Sequence, residues 1–240
     1  EFFVGTVGNQ ANQFEAIAEA GSVDDMYARL EEKGCVVRFD KAIEPTMFHA
    51  ATISKPELEA LRRIKNVVRM GRVTALEPTR IVLENGELET SPEHMHIDCS
   101  ASLSRTMVRM SPKPVFEGDV ITPQTIRSFM PVFSGSMIAY VEANYSDDEE
   151  KNRLCNVVPL PNTSDDFVTM TLAAMMNQYN WSQDKSLRAW VRENRLDGFS
   201  KLASEVSPDD KEKMDILLRM RDTAPKAVGK LMELAATLNT

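Results

Sequence analysis

The residues from Arg72 to Thr90 constrain the fold most, because their pattern is that of a short antiparallel β-meander. Residues 72–77 alternate polar and apolar side chains, which is the period of a half-buried strand. Further β-rich runs cover residues 80–84 and 87–90. Asn85-Gly86 separates these two runs, and both residues tolerate the positive φ of a type I′ turn. The pattern predicts three antiparallel strands with a tight turn at Asn85-Gly86.

The residues around the meander predict a mixture of helices and strands. Ser22 and Ser54 each have an acidic residue three positions later, which is the signature of a capped helix start. Two β-rich runs, residues 35–39 and 45–53, are expected to form strands. The run 95–99 is expected to form a last strand after the meander. The first part of the chain is therefore predicted to contain both helices and strands.

The character of the sequence changes at Pro159. The segment 159–163 contains two prolines and resembles a linker, and the residues after it carry almost no strand signal. Their apolar side chains recur at helical spacing. The sequence predicts an α/β or α+β fold with an antiparallel β-meander, followed by an all-α C-terminal region. The predicted domains are residues 1–158 and 159–240.

Composition excludes several classes of function. The 240 residues carry a net charge of −8, and neither a nucleic-acid surface nor an anionic membrane surface is expected on so acidic a chain. No apolar run approaches the roughly 18 residues of a membrane span. The three cysteines are far apart and odd in number, which suits a reducing cytoplasm. We expect a cytoplasmic protein that binds neither nucleic acid nor membrane.

The strand after the meander carries a resemblance to a known family. Its end reads Ile97-Asp-Cys-Ser-Ala101. A meander that feeds such a strand resembles the FAD-binding half of two-dinucleotide-fold flavoproteins, and also uncharacterised bacterial proteins related to FAD/NAD(P)-binding oxidoreductases. In that family the strand reads roughly V-(I/V)-x-A-T-G, and its tip lies against the cofactor. The resemblance implies that Ser100 and Ala101, which replace the usual Thr and Gly, contact FAD.

A second segment, Phe116-Glu-Gly-Asp119, resembles the second FAD fingerprint of these flavoproteins. In the family the Asp bonds to the ribityl chain of the cofactor. The helix that follows points its N-terminus at the pyrophosphate or the flavin. The resemblance implies that Gly118 and Asp119 bind the cofactor and that a helix capped by Ser134 follows. Gly-Asp is also an ordinary turn sequence, and this alternative stays open.

The Gly-rich turn that holds the ADP half of FAD is missing from the sequence. Gly5-Thr-Val-Gly8 is not GxGxxG, and a flexible segment is expected there. We expect a fragment of an FAD/NAD(P)-dependent oxidoreductase-like protein that lacks the N-terminal Gly-rich dinucleotide-binding turn. FAD would then be held by the full-length protein and not by this chain. The alternative is a non-enzymatic protein-interaction module, with homo-oligomerisation through the C-terminal helices.

His94, His96 and Asp98 form the most metal-like cluster in the sequence. On a strand they would share one face, and HxHxD is part of a zinc-hydrolase motif. That motif continues with His where this chain has Cys99, and only His49 remains elsewhere. We therefore expect no metal site. As a nucleophile, Cys99 would need a base, and the nearest candidate, His96, would lie on the opposite face of the strand. Cys99 is therefore expected to be a buried small side chain.

Overall fold

The computed structural model describes residues 2–100 and 113–238, which form two compact units. The helical unit contains residues 2–51 and 113–238, and the meander unit contains residues 52–100. This division differs from the predicted boundary at residue 158. The reason is that the N-terminal helix packs along the C-terminal helix, so both ends of the chain belong to one core.

The described residues contain nine α-helices and five short β-strands. The helices are α1 (Phe2–Ala18), α2 (Val23–Glu32), α3 (Lys55–Leu61), α4 (Pro131–Asn144), α5 (Asp148–Leu154), α6 (Ser164–Gln183), α7 (Lys185–Glu193), α8 (Ser200–Ser204) and α9 (Lys211–Leu238). The strands are β1 (Val73–Leu76), β2 (Arg80–Leu83), β3 (Gly86–Glu89), β4 (Phe116–Glu117) and β5 (Val120–Ile121). The predicted fold class is confirmed: a β-meander and helices precede a C-terminal region in which the described residues form only helices.

The meander unit contains the predicted sheet, in which antiparallel β2 lies between β1 and β3. The position of its turn was predicted wrongly by one residue. Leu83 pairs with Gly86, so the two loop residues are Glu84 and Asn85. The Asn85 amide donates to the Met70 carbonyl at 3.0 Å, which holds the loop in this register.

Three predicted strands are wrong, because residues 35–39, 45–53 and 95–99 have irregular backbone. The reason is the lack of a neighbouring strand, since a strand needs a paired backbone on at least one side. Cys35 instead donates its amide to the Leu30 carbonyl at 2.8 Å, where it closes the end of α2. In the second run, the Phe48 amide donates at 3.0 Å to the carbonyl of Asn162 in an irregular segment.

Helix α1 replaces the flexible segment expected at the N-terminus. Its buried residues recur at helical spacing and include Phe3, Val7, Phe14 and Ile17. Two glycines hide this pattern in the sequence, because glycine in a helix interior is unfavourable by roughly 1 kcal/mol relative to alanine. A Cβ added at Gly8 would lie 3.5 Å from the Ile216 side chain, an ordinary packing distance. At Gly8, α1 and Ile216 of α9 are therefore within ordinary packing distance of each other.

Two larger cores stabilise the helical unit. The first is formed by α1, α2, α6 and α9, and Ile17, Met26 and Leu231 are fully buried in it. The second surrounds Phe133 and Trp181 and joins the β4–β5 hairpin to α4, α5 and α7. Helix α6 contributes to both cores, so it connects the first and last helices to the hairpin that carries two of the predicted cofactor residues.

Candidate functional site

Ser100 lies at the described end of the meander unit, and its neighbour Ala101 lies outside the described residues. The Ser100 amide donates to the Asp98 carboxylate at 2.8 Å, which forms an Asx-type turn. Met95 and Ile97 just before it are 86% and 77% exposed. The backbone around Ser100 is therefore held by a local turn and not by a sheet.

Gly118 and Asp119 are the two loop residues of the β4–β5 hairpin in the helical unit. Phe116 pairs with Ile121, and Glu117 pairs with Val120. Gly118 has a φ of +60°, as the first central residue of a type II′ turn requires. Asp119 is exposed at the tip. The hairpin keeps these two residues adjacent, whereas Ser100 belongs to the other unit.

Helix α5 satisfies the polar backbone of this hairpin. The Gly118 amide donates to Asp148 at 2.7 Å. The Asn152 side chain accepts from the Phe116 amide at 3.0 Å and donates to the Phe116 carbonyl at 2.8 Å. Asp148 and Asn152 are one helical turn apart, so both reach the same edge of the hairpin. There they bond to the backbone groups that a neighbouring strand would otherwise pair with. The Gly118 amide that a cofactor could use already has an anionic partner.

The surroundings of the hairpin are acidic. Asp147 caps α5, and three further acids form the first turn of that helix, where they interact favourably with its dipole. Lys151 pairs with Glu142 at 2.7 Å, which raises the pKa of the ammonium group. The same ammonium group lies 5.3 Å above the ring of Phe116. A phosphate at Gly118 would meet several carboxylates and a lysine that is already paired.

The helix expected after the fingerprint is α4, but it begins earlier than predicted. It starts at Pro131, and its N-cap residue Met130 makes no side-chain capping bond. Ser134 is buried inside the first turn, so its predicted role as the cap is wrong. Its hydroxyl donates to the Met130 carbonyl at 2.8 Å and accepts from the Ile126 amide at 3.2 Å. The proline at the first helical position explains the earlier start.

The sequence analysis did not predict a buried polar network that lies beside α4. Asn177 is fully buried in α6, and its amide group donates to the carbonyls of Ile126 and Asn156 at 2.8 and 2.7 Å. Its Oδ1 has no partner within the described part of the chain. Arg127 forms an ion pair with Asp197, and both side chains are largely buried. This network fixes the segment between the hairpin and α4.

Asp197 accepts several hydrogen bonds in this network. Its carboxylate accepts from Arg127 and from the amides of Phe199 and Ser200. Burial alone would raise the pKa of Asp197, but the Ser200 amide and the Arg127 guanidinium together lower it below its usual value. Arg127 also lies 4.8 Å from the centre of the Phe133 ring. The pair is therefore a largely buried anchor that holds the segment after α7 against the segment before α4.

Two shallow surface cavities lie away from the predicted site residues. One of about 470 Å³ runs between α1 and α9 and includes Gly5, Asn9 and Asp215 in its lining. Another of about 340 Å³ lies beside Trp190 and Arg195. Neither contains Ser100, Gly118 or Asp119 in its lining. The predicted residues therefore do not line either of these cavities.

Two of the three cysteines are poor candidates for a nucleophile, because burial disfavours their thiolate forms. Burial raises the pKa of the Cys155 thiol to about 12 and also raises that of Cys35. Cys99 is exposed, not buried as predicted, because its segment forms no strand. None of the three thiols is in a disulfide bond.

Within residues 2–100 and 113–238, no three His, Cys, Asp or Glu side chains come together as a metal site would require. No described helix is long and apolar enough to cross a membrane.

Comparison with known proteins finds relatives in mycobacteria. The chain is 38% identical over 229 residues to the uncharacterized protein Rv2000 of Mycobacterium tuberculosis, a match that covers 94% of this chain and 42% of the relative. The uncharacterized protein Mb2023 of Mycobacterium bovis matches with the same identity and coverage. The chain thus spans less than half the length of these curated relatives. No family model and no solved structure matches it.

Proposed function

We propose that this chain is part of an FAD/NAD(P)-dependent oxidoreductase-like protein whose Gly-rich dinucleotide-binding turn lies in another part of the polypeptide. The observation that carries the proposal is the meander followed by the uncovered segment 94–100. Met95 and Ile97 alternate with polar residues in this segment and are 86% and 77% exposed. Such alternation in a segment outside the described strand pairs is typical of a strand that pairs with another part of a larger sheet.

The segment that enters the meander has the same character. Ile64, Val67 and Val68 are 58%, 55% and 46% exposed, although all three are β-branched and favour strands. Apolar side chains clustered in this way usually mark a surface that is covered by another part of the protein. In the flavoprotein arrangement, a parallel sheet would cover them. The described residues contain only antiparallel strand pairs.

The length of the relatives supports the same proposal. More than half of Rv2000 lies outside the region that this chain matches. The remainder is long enough for a further domain, since domains are typically about 50–250 residues long. A dinucleotide-binding domain with its Gly-rich turn could be carried there. FAD and NAD(P) bound there would supply hydride-transfer chemistry.

The four candidate residues have different roles in this proposal. For Ser100 and Ala101, the resemblance implies contact with the flavin. Asp119 would accept a hydrogen bond from a hydroxyl of the ribityl chain, which the acidic surroundings permit. Gly118 would shape the turn, because Asp148 already accepts from its amide at 2.7 Å. The pyrophosphate would be bound by the Gly-rich turn elsewhere in the protein.

The test is flavin binding by two proteins, this chain and full-length Rv2000. We expect purified Rv2000 to carry or take up stoichiometric FAD, seen as the visible flavin absorption bands. We expect this chain to bind FAD weakly or not at all, measured by calorimetry. If Rv2000 takes up no flavin, the oxidoreductase proposal fails. Micromolar or tighter binding of FAD by this chain alone would refute the need for the missing turn.

The alternative proposal is a non-enzymatic interaction module. It is favoured by the exposed apolar side chains of the meander unit, which could equally be covered by a partner protein. This alternative predicts that no flavin binds, and homo-oligomerisation through the C-terminal helices would make the molecular mass depend on concentration. Light scattering alongside the flavin titration separates the two. In either case we propose a cytoplasmic protein without nucleic-acid partners, because the chain is acidic and its thiols are unpaired.

A further inference from the structure

Two histidines of the meander unit converge on one hydroxyl group. The Thr90 Oγ1 lies 3.0 Å from Nδ1 of His94 and 3.1 Å from Nε2 of His96. The Thr90 amide donates to the Thr79 carbonyl at 2.9 Å, which fixes the threonine at the end of the sheet. The His94 amide donates to the Ser91 carbonyl at 3.0 Å and closes the intervening turn. These two backbone hydrogen bonds therefore hold Thr90 and the turn before His94 in place.

The ring nitrogens that face Thr90 can bind a metal ion once each presents its lone pair. The Thr90 hydroxyl has a single proton, so one of the two rings donates its N–H to Thr90 and must change tautomer before it binds the ion. A neutral imidazole offers one lone pair, and imidazole is a preferred ligand of Zn²⁺, Cu²⁺ and Ni²⁺. The two nitrogens are at most about 6 Å apart, because each contacts the same oxygen. Metal–nitrogen bonds of about 2.0–2.1 Å need the nitrogens closer together. Exposed histidine side chains can make this movement by rotation about their χ angles.

We propose that His94 and His96 form a surface site for a divalent transition-metal ion, with water as the remaining ligands. The metal would replace the Thr90 hydroxyl as the common partner of the two rings. Both histidines are exposed, so water can reach the open coordination positions. This site uses only described residues of this chain and differs from the enclosed zinc-hydrolase site that the sequence does not support.

The number of protein ligands limits what such a site can do. The described part of the chain contributes no third His, Cys, Asp or Glu close enough to enclose the ion. A catalytic zinc normally has three protein ligands that fix its geometry and activate a water molecule. Two exposed imidazoles can bind the ion but do not hold it in a dry, shaped cavity. We therefore expect binding without hydrolysis, and tighter binding of Cu²⁺ than of Zn²⁺.

The experiment is calorimetric titration of the full chain with ZnCl₂ and with CuCl₂ at neutral pH. We expect one ion to bind per chain. His94→Ala and His96→Ala should each weaken binding by about tenfold or more, since loss of even an indirect partner of a metal ligand weakens affinity about 10–100-fold.

The matched control is His49→Ala, because His49 is the third histidine of the chain and lies in the helical unit. It should leave the affinity unchanged. Thr90→Val should also retain binding, since the hydroxyl is displaced and is not a ligand. Circular dichroism of each variant shows whether it is folded. The proposal is overturned if neither ion binds the original chain, or if the folded His94→Ala and His96→Ala variants bind as tightly as the original chain.

Discussion

The carboxylate of Glu15 provides a stringent test of how the helical unit is stabilised. Glu15 lies on α1 and accepts from Arg219 of α9 at 2.7 and 2.9 Å. Lys33, just after α2, donates to the same carboxylate at 3.0 Å. The hydrogen bond from Arg219 is the main reason why the pKa of Glu15 falls from 4.5 to about 2. The ion pairs connect three parts of the helical unit.

The sign of the pH dependence follows from the lowered pKa. In the unfolded chain Glu15 binds a proton near pH 4.5, whereas in the folded chain it stays ionised down to about pH 2. Its contribution to stability is therefore complete above pH 4.5 and is lost as the pH falls towards 2. One pKa unit corresponds to about 1.4 kcal/mol. Because Arg219 and Lys33 are about one third exposed, solvent screening reduces the expected contribution to about 1–3 kcal/mol.

The perturbation is Glu15→Gln, which removes the charge and keeps the size of the side chain. Urea unfolding followed by tryptophan fluorescence reports on the helical unit, because both tryptophans, Trp181 and Trp190, belong to it. We expect Glu15→Gln to lower the free energy of unfolding by about 1–3 kcal/mol at neutral pH. Near pH 2 the difference from the original chain should be close to zero.

The control is Glu19→Gln, which removes an acid that is 60% exposed and pairs with Arg29 at 3.0 Å. A surface ion pair of this kind contributes about 0–1 kcal/mol, so the control should be nearly neutral at every pH. The reasoning is refuted if Glu15→Gln destabilises the protein equally at neutral pH and near pH 2. That outcome would assign the loss to packing and not to the ionised carboxylate.

Three further substitutions test the buried ion pair and two glycines. Asp197→Asn leaves the charge of Arg127 buried without its partner, so urea unfolding should show a loss of about 3–5 kcal/mol, and a loss below 1 kcal/mol would contradict a desolvated pair. Gly71 has a φ of +79°, and a Cβ there would lie 2.8 Å from the Cβ of Glu84. Gly71→Ala should therefore lower the melting temperature of the meander unit. Gly135→Ala lies in α4 with nothing within 4 Å of the added Cβ, so it should raise stability by about 0.5–1 kcal/mol; a loss on this substitution would contradict the open space.

The parts of the fold that could be predicted rest on local signals. Ser22 accepts from the Asp25 amide at 3.1 Å, as the capped start of α2 predicts. Ser54 and Glu57 form a complete capping box at the start of α3. The alternating residues of β1 to β3 lie next to one another in the sequence, so their pairing needs no distant partner. In each case, neighbouring residues determine the structure.

The missed elements depend on distant residues. Helix α1 is stabilised by packing on α9, and its glycines give it a weak helical signal in the sequence. Asn177 is an ordinary polar residue in the sequence, and its two carbonyl partners lie 51 and 21 residues away. Arg127 and Asp197 are separated by 70 residues. No sequence spacing could have indicated these pairs, because the chain brings them together only after the helices pack.

The candidate site was partly predictable for the same reason. The Gly118-Asp119 turn could be anticipated because a two-residue hairpin loop favours glycine where φ is positive. The partner of the Gly118 amide could not, since Asp148 lies 30 residues later. That partner changes the chemistry expected of the turn, because a carboxylate at the amide competes with any phosphate that approaches. Asp119 is then the better suited of the two residues for a neutral, hydroxyl-bearing part of a cofactor, and Gly118 serves mainly to set the geometry of the turn.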